Sequence, residues 1–397
     1  MHSFEYYSPT KIVFGKDAEQ RVSEGVREFG GNRVFIVCYG DPNNSTETKV
    51  LTRIKKNFED NGIKYEIFDG VVPNPTLSHV VKGVKKALNF GADFFLAVGG
   101  GSVIDTAKSI AVGAANPETD IWKFFSYEEN LEKTLPVGVI LTIAASGSET
   151  SGAAILTREE DQDKKGLYTD VIRPKIAYMN PELTYTLPKR QISYGIADIM
   201  MHTMDRYFTC QLGNELTDEF AEAVLRVMVK NGPIMLDNPT DYSAASEIMW
   251  CGTMSHNGIT GLGGLNDFAP HLLGAPLSGV YNIPHAPTLT AVWGDWAKYV
   301  FEENPSRFAR FGRNVFNDTN NYDSDIDAAK SAIEITVDFF KDLGMPTCFS
   351  ELGLGVISEE ELQVLTSLCP ESGEQTMGTF KVLDKNDIYN IFKMANR

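Results

Sequence analysis

FFLAVGGGSVIDTAK, residues 94–108, decides the fold. Phe94 to Val98 is an unbroken apolar run, the pattern of a strand covered on both faces. Gly99-Gly100-Gly101-Ser102 follows directly, and Val103 to Ala115 then reads as a helix. A phosphate wants this order: glycines let the backbone come close, and free N–H groups at the helix start face the anion with a favourable dipole. The spacing GxGxxG is not met, because position 104 is Ile, and no Gly-Lys-Ser/Thr ends the turn as in a P-loop. A ligand-free strand–helix turn would look the same. Ser102 and Asp105 add polar groups near the turn, whereas Lys108 reads as a solvated helix residue.

The surroundings repeat the alternation. RVFIVCYG (33–40) is a β-branched run that ends in Gly40-Asp41-Pro42-Asn43-Asn44, strong turn chemistry. Residues 47–60 carry helical spacing in Val50, Leu51, Ile54 and Phe58, and 64–68 is a further strand. After Pro73 and Pro75, Leu77 to Phe90 reads helical, with Gly91 at its C-terminus. Leu135–Thr142 and Lys175–Met179 complete the strands, and alternation of this kind implies a mostly parallel, doubly wound sheet. From Pro188 the pattern changes. Residues 192–208 and 214–231 are helical, the second closed by Gly232-Pro233, and 325–343 is an amphipathic helix stopped by Gly344 and Pro346. The expected organisation is an α/β domain at 1–187 and an all-helical domain at 188–397.

Composition narrows the function. Apolar residues make up 43% and charged residues 22% of the 397, ordinary globular usage. Lys+Arg is 36 against 53 Asp+Glu, a net charge of −17, the wrong sign for a nucleic acid or an anionic membrane. No apolar run approaches the roughly 18 residues of a membrane helix. MHSFEYYSP has no basic region ahead of an apolar stretch, so it does not read as a secretion signal. Cys38, Cys210, Cys251, Cys348 and Cys369 are scattered and never form CxxC, as expected of reduced thiols in a cytoplasmic protein.

Thr142 to Glu149 is a second polar turn after a strand, equally readable as an N-capping turn. Of six histidines, His202 lies four residues after Asp198 in a helical stretch, which puts both on one face, one turn apart. Such a pair holds a divalent cation or makes an Asp–His hydrogen bond. His271 and His285 would stand about 21 Å apart on one straight helix, too far to share a metal. Gly274, Pro276, Gly279 and Pro284 intervene and allow the chain to turn back. Three imidazoles and a carboxylate suit Fe²⁺, Zn²⁺ or another borderline divalent ion. His79 reads as a surface residue at a helix start, and His256 as a core histidine near the 271–285 segment.

These residues match a family. FGKDA (14–18), GGGSVIDTAK (99–108), ASGSET (145–150), NPELTYTLPKRQISYGIADIMMH (180–202) and HLLG…YNIPHA (271–286) resemble the iron-dependent (group III) alcohol dehydrogenases, in their butanol dehydrogenase and aldehyde reductase branch. The resemblance spans essentially the whole chain, and the last two stretches in this order are quite specific. It implies a dehydroquinate synthase-like architecture: an α/β dinucleotide-binding domain with a parallel sheet, an all-helical metal-binding domain, and the active site in the cleft between. It maps the metal ligands onto Asp198, His202, His271 and His285. It maps the pyrophosphate turn onto Gly99, Gly100, Gly101 and Ser102, and other cofactor contacts onto Asp105, Thr142, Ser146, Ser151, Lys164 and Leu183, with Lys164 near the nicotinamide ribose. It implies a homodimer that interconverts a short primary alcohol and its aldehyde. There the metal acts as a Lewis acid on the substrate oxygen and hydride passes to or from nicotinamide. Phe268, Trp250 and Leu272 are candidates for the apolar wall.

Three departures from the family pattern stand out. Many relatives carry a histidine four residues after the third ligand, where this chain has Ala275; water and the ribose, or His256, would then carry the proton. Asn180-Pro181 replaces an Asp-Pro. In NADP-preferring relatives the turn after the first strand is often Gly/Ser-rich, whereas Asp41 here offers a carboxylate that accepts from ribose hydroxyls and repels a 2′-phosphate, which favours NAD over NADP. The alternatives are a polyol dehydrogenase for glycerol or 1,2-propanediol, a lyase related to dehydroquinate synthase, and a nucleotide-binding sensor with impaired catalysis. The lyase would require extra basic residues, and segments 195–206 and 267–290 hold only Arg206.

Overall fold

A six-stranded parallel sheet is the centre of residues 7–187, in a computed structural model that describes every residue except Pro42, Gln162, Glu371, Ser372 and Gly373. Pro42, part of the turn after the first long strand, therefore lies outside the described residues. In chain order the elements are β1 (Lys11–Phe14), α1 (Val22–Glu28), β2 (Arg33–Cys38), α2 (Ser45–Asp60), β3 (Lys64–Phe68), α3 (Leu77–Phe90), β4 (Phe94–Gly99), α4 (Gly101–Ala115), α5 (Trp122–Phe125), β5 (Val137–Leu141), β6 (Ala153–Arg158), β7 (Asp163–Tyr168) and β8 (Ile176–Met179).

The sheet order is β1-β8-β5-β4-β2-β3, every pair parallel. All six residues of β4 are buried, as an unbroken apolar run requires. Chain order reverses between β2 and β4: from β2 the chain goes outward to β3, then returns to the other side of β2. Outside the carboxyl ends of two such strands lies the crevice where doubly wound sheets bind nucleotides. The β6–β7 hairpin is antiparallel and separate from the main sheet. Sequence patterning missed it, because DKKGLY in β7 is too polar to read as a strand. It also missed the four-residue edge strand β1.

Residues 188–397, with residues 1–6, form the second unit. Its helices are α6 (Lys189–Tyr207), α7 (Glu215–Asp237), α8 (Tyr242–His256), α9 (Ala269–Tyr281), α10 (His285–Val300), α11 (Pro305–Phe316), α12 (Asp325–Asp342), α13 (Glu359–Ser367) and α14 (Lys385–Ala395). Phe208, Trp293, Trp296, Phe308 and Phe380 interlock in its core, the Phe208 and Phe308 rings stacked at 4.3 Å. The N-terminal residues join it through the N–H of His2, which donates to Asn214 Oδ1 at 2.9 Å.

One helix end differs from expectation. Gly232-Pro233 does not close α7, which continues to Asp237 with Pro233 inside it. Proline removes one backbone hydrogen bond, but Met235 beyond it is buried, and packing holds the last turn. Gly232 permits this, since a Cβ there would already stand 3.3 Å from Ile196 Cγ2.

Candidate metal centre and nucleotide turn

Helix α6 is buried on every face from Gly195 to Tyr207, yet carries Asp198, His202, Asp205 and Arg206. A buried charge is costly unless it is paired or ligating, so each of these needs a partner. Arg206 has two: its Nη1 donates to the His202 carbonyl at 2.6 Å, and its guanidinium lies 5.0 Å from the Phe268 ring centre. It is therefore not presented as a phosphate ligand, the role a lyase would want.

Asp198 and His202 lie one turn apart, with Nε2 3.7 Å from Asp198 Oδ1. His271 enters from the first turn of α9. Asp198, His202 and His271 each offer one ligand atom, all within 4.8 Å of one another. The chain turns back at Asn282, in the left-handed region (φ 52°), and at Pro284. Pro276 stays inside α9, so Gly274 and Pro276 do not make the turn. His285 then starts α10 with Nε2 4.0 Å from the same Asp198 oxygen.

Three features fit this cluster to a divalent ion. Asp198 Oδ1 and His271 Nε2 are fully enclosed and have no hydrogen-bond partner. The donor set of one carboxylate and neutral imidazoles suits a borderline metal. Each buried ring also has a proton holder behind it. His271 Nδ1 pairs with the Asp205 carboxylate, and His202 Nδ1 lies 3.3 Å from His256 Nδ1. Such outer contacts fix the tautomer and leave Nε2 as the lone-pair donor. Burial sets the protonation: it pushes Asp198 up to about 7, with the nearby Asp205 adding to it, and takes His271 down to about 3. Burial and the neighbouring imidazoles hold His202 well below its ordinary value.

The expected wall residues separate. Phe268 packs on both rings, 5.3 Å from His271 and 6.2 Å from His202 by ring centres, held there by a left-handed backbone (φ 55°). Leu272 is half-buried on α9. Trp250 is 40% exposed, and on α8 it lies about 120° around the helix from His256; its six-residue separation is neither one turn nor two. Ala275 follows His271 by one turn. His256 is half-buried, and its ring meets that of His202 edge-on at 4.4 Å. His79 also departs from the surface reading: its ring packs 4.5 Å from Phe68 and its Nε2 is buried.

In the α/β unit, Gly99 ends β4, Gly100 precedes α4, and no side chain caps the helix. A Cβ at Gly100 would stand 2.2 Å from Ile143 Cγ2, and one at Gly101 would meet Ser146 Oγ at 3.1 Å. Glycine thus keeps the first-turn N–H groups clear for an anion. The N–H of Thr142 donates to the Gly99 carbonyl at 3.2 Å, which sets the second polar turn beside the first. Lys164 Nζ, on β7, donates to Asn74 Oδ1 at 3.3 Å. Asp41 is exposed, with Oδ1 accepting from the N–H of Asn43 at 2.8 Å.

Three expected cofactor contacts, Asp105, Leu183 and Ser151, and Lys108 are engaged within the unit itself. Asp105 turns inward, Oδ1 accepting from Ser148 Oγ at 2.7 Å and Oδ2 from the N–H of Ile155 at 3.1 Å. Leu183 packs into the apolar core with Val50 and Ile54. Ser151 is buried and held by Lys108. Lys108 is itself fully buried rather than solvated. Its ammonium donates to the carbonyls of Ser148, Ser151 and Ala153 at 2.8, 3.0 and 2.7 Å and to Ser148 Oγ at 3.0 Å. Burial takes its pKa down to about 8, and it remains charged at neutral pH. Lys108 ties α4 to the 148–153 segment.

A doubly wound unit with an open glycine turn at its switch point, and a helical unit with an enclosed Asp–His cluster, define a nucleotide-linked metalloenzyme. Residues 9–181 match the model of the family "iron-containing alcohol dehydrogenase", and residues 192–396 match the C-terminal model of the Fe-containing alcohol dehydrogenase family. NADH-dependent butanol dehydrogenase A of Clostridium acetobutylicum is 33% identical over 396 residues, covering 100% of both chains. The NADPH-dependent aldehyde reductase YqhD of Escherichia coli is 32% identical, covering 89% of this chain and 90% of its own. The crystal structure of NADH-dependent butanol dehydrogenase A from Thermotoga maritima superposes with a TM-score of 0.92 at 31% identity, over 100% of this chain and 99% of that one. The chain belongs to the iron-containing alcohol dehydrogenase family and is a metal-dependent, NAD(P)-linked oxidoreductase of alcohols and aldehydes. Among the described residues no helix is long and apolar enough to cross a membrane, and the five cysteines are free thiols, Cys210 exposed and the others buried.

Proposed function

We propose that the protein interconverts a short primary alcohol and its aldehyde, of about the size of butanol and butanal, with NAD(H) and Fe²⁺ held by Asp198, His202, His271 and His285. Zn²⁺ or another divalent ion suits the same donors. The observation that carries this reading is the pair of enclosed, partnerless ligand atoms, Asp198 Oδ1 on α6 and His271 Nε2 on α9. The names of the relatives support the substrate class, and Asp41 supports NAD over NADP.

A bound divalent ion supplies Lewis acidity towards an alcohol or carbonyl oxygen, and nicotinamide gives or takes hydride. The chain's residues do the rest. Asp198 contributes the one negative charge of the donor set. Asp205 keeps the proton of His271 on Nδ1, and His256 Nδ1 accepts the Nδ1 proton of His202. Phe268 covers both rings and keeps water from them. Ala275 offers no proton, so exchange with solvent runs on the side of His285, whose side chain is 41% exposed. In the other unit, Gly99, Gly100, Gly101 and Ser102 hold the pyrophosphate through backbone N–H groups, with Thr142, Ser146 and Lys164 beside it.

The reading includes a cytoplasmic homodimer without a nucleic-acid partner, in keeping with the net charge of −17. The test is oxidation of NADH with butanal after anaerobic loading with Fe²⁺, against glycerol and 1,2-propanediol with NAD. Turnover of butanal that a chelator abolishes and Fe²⁺ restores is expected. Tight cofactor binding without turnover of any of these substrates would refute it and favour a sensor.

A further inference from the structure

Glu47 is a buried acid that the chemistry above does not use. It lies in the first turn of α2 and is 3% exposed. Its carboxylate reaches back over the turn that follows β2. Oε1 accepts from the N–H of Gly40 at 2.7 Å and Oε2 from the N–H of Tyr39 at 3.2 Å. Two oxygens that each accept an N–H call for the ionised form. Successive backbone N–H groups converging at a left-handed residue make a concave anion site, and Gly40 is that residue, with φ 76°. The nest is thus already filled, by an anion belonging to the chain. A Cβ at Gly40 would stand 2.5 Å from Asp69 Cβ, so a second carboxylate closes over the same turn.

Topology says what lies next to this nest. Cys38 of β2 is level with Val98 of β4, which brings the turns after the two strands side by side at the switch point. Tyr39 Oη stands 3.7 Å from where a Cβ on Gly100 would be. With a pyrophosphate on the glycine turn, the adenosine ribose extends over the neighbouring strand end. A 2′-phosphate placed there needs backbone N–H groups or a cationic side chain. The N–H groups of Tyr39 and Gly40 are engaged. From Tyr39 to Thr48 the sequence has no Lys or Arg, and it has Asp41 and Glu47. Asp41 is exposed and carries the turn's outer charge, whereas Glu47 acts from beneath, on the backbone itself.

Resting on the nucleotide reading proposed above, we infer that Glu47 is the specificity-determining residue for the cofactor. Its carboxylate occupies the anion nest after β2 and thereby excludes the 2′-phosphate of NADP(H) while leaving the two ribose hydroxyls of NAD(H) unopposed.

Calorimetric titration of the full-length, metal-free protein with NADH, NADPH, ADP and 2′,5′-ADP tests this without turnover. Glu47→Gln removes the charge at nearly constant size, and Glu47→Ser empties the nest. Wild type should bind NADH more tightly than NADPH, and ADP more tightly than 2′,5′-ADP. In both variants each preference should shrink by about tenfold or more, since a like charge in contact range is worth at least that factor. If the variants fold and bind NADH but the ratios do not move, the assignment of Glu47 is wrong and the nucleotide reading stands. If wild type binds no dinucleotide, or prefers NADPH, the reading itself fails and takes the assignment with it. Thermal unfolding checks each variant, and if Glu47→Ser is unfolded the isosteric Glu47→Gln decides alone.

Discussion

Asp205 is the residue whose removal should separate metal binding from folding. It is 1% exposed and pairs with His271 Nδ1. Asp205→Asn keeps the shape and one acceptor oxygen, so His271 can hold its Nδ1 proton and present Nε2 unchanged. What is lost is a full negative charge one imidazole away from the ion. Outer contacts of this kind are worth about 10–100-fold in metal affinity, and the isosteric change belongs near the lower limit, about 1.4 kcal/mol. Asp205→Ala goes further. It strands a buried N–H donor, about 1–3 kcal/mol, and permits the wrong tautomer, which brings the loss to about 100-fold. The backbone carbonyl of Asp205, which accepts from the N–H of Asp267 at 2.9 Å, is untouched by either change. The assay is competition for Co²⁺ or Zn²⁺ against a chromophoric chelator, with far-ultraviolet dichroism as the folding check. Affinity ordered wild type, Asn, Ala supports the assignment. Affinity within about twofold of wild type in a folded Asp205→Ala would refute it.

Three other perturbations follow from the same geometry. Lys108→Met leaves the Asp105 carboxylate without its buried cation and should destabilise the fold by about 3 kcal/mol or more, read as a lower denaturation midpoint with weakened NADH binding; an unchanged midpoint would show that the ammonium is dispensable. Asp198 has a folded pKa raised to about 7 from 3.8. The metal-free folded state therefore binds that proton more tightly than the unfolded chain, and its stability should fall as pH rises from about 4 through 7. Metal affinity should meanwhile climb as pH rises towards about 7 and Asp198 gives up its proton, with no contribution from His271, which at about 3 has no proton to release there; an affinity that does not change between pH 5 and 7 would contradict this. Gly100→Ala forces a Cβ against Ile143 Cγ2 and should weaken NADH binding by more than about tenfold while metal binding is retained; equal affinity would mean that the turn does not hold the pyrophosphate.

Where one physical signal dominated, the residues spoke plainly. β2, β4, β5 and β8 are buried on both faces, so their runs are apolar without interruption, and the glycines after β4 mark the switch point. Asp198 and His202 declare a shared helix face by their spacing. Features that depend on what the third dimension brings alongside were not readable. The turn that returns His285 is made by a left-handed Asn282 and Pro284, not by the more conspicuous Gly274 and Pro276. Asp105 follows a phosphate-type turn, but its partners Ser148 and Ile155, more than 40 positions on, could not be read from the sequence. Asp205 and Glu47 matter through partners 66 and about eight positions away, and only the folded chain brings them together. The polar β7 gave no strand signal at all.

The central claim is that Asp198, His202, His271 and His285 grip one divalent ion. Metal analysis by mass spectrometry, on protein loaded anaerobically with Fe²⁺ and desalted, tests it most directly. About one ion per chain is expected in wild type, with near-complete loss in folded Asp198→Ala and His271→Ala. A folded variant of either kind that keeps its full ion would contradict the account.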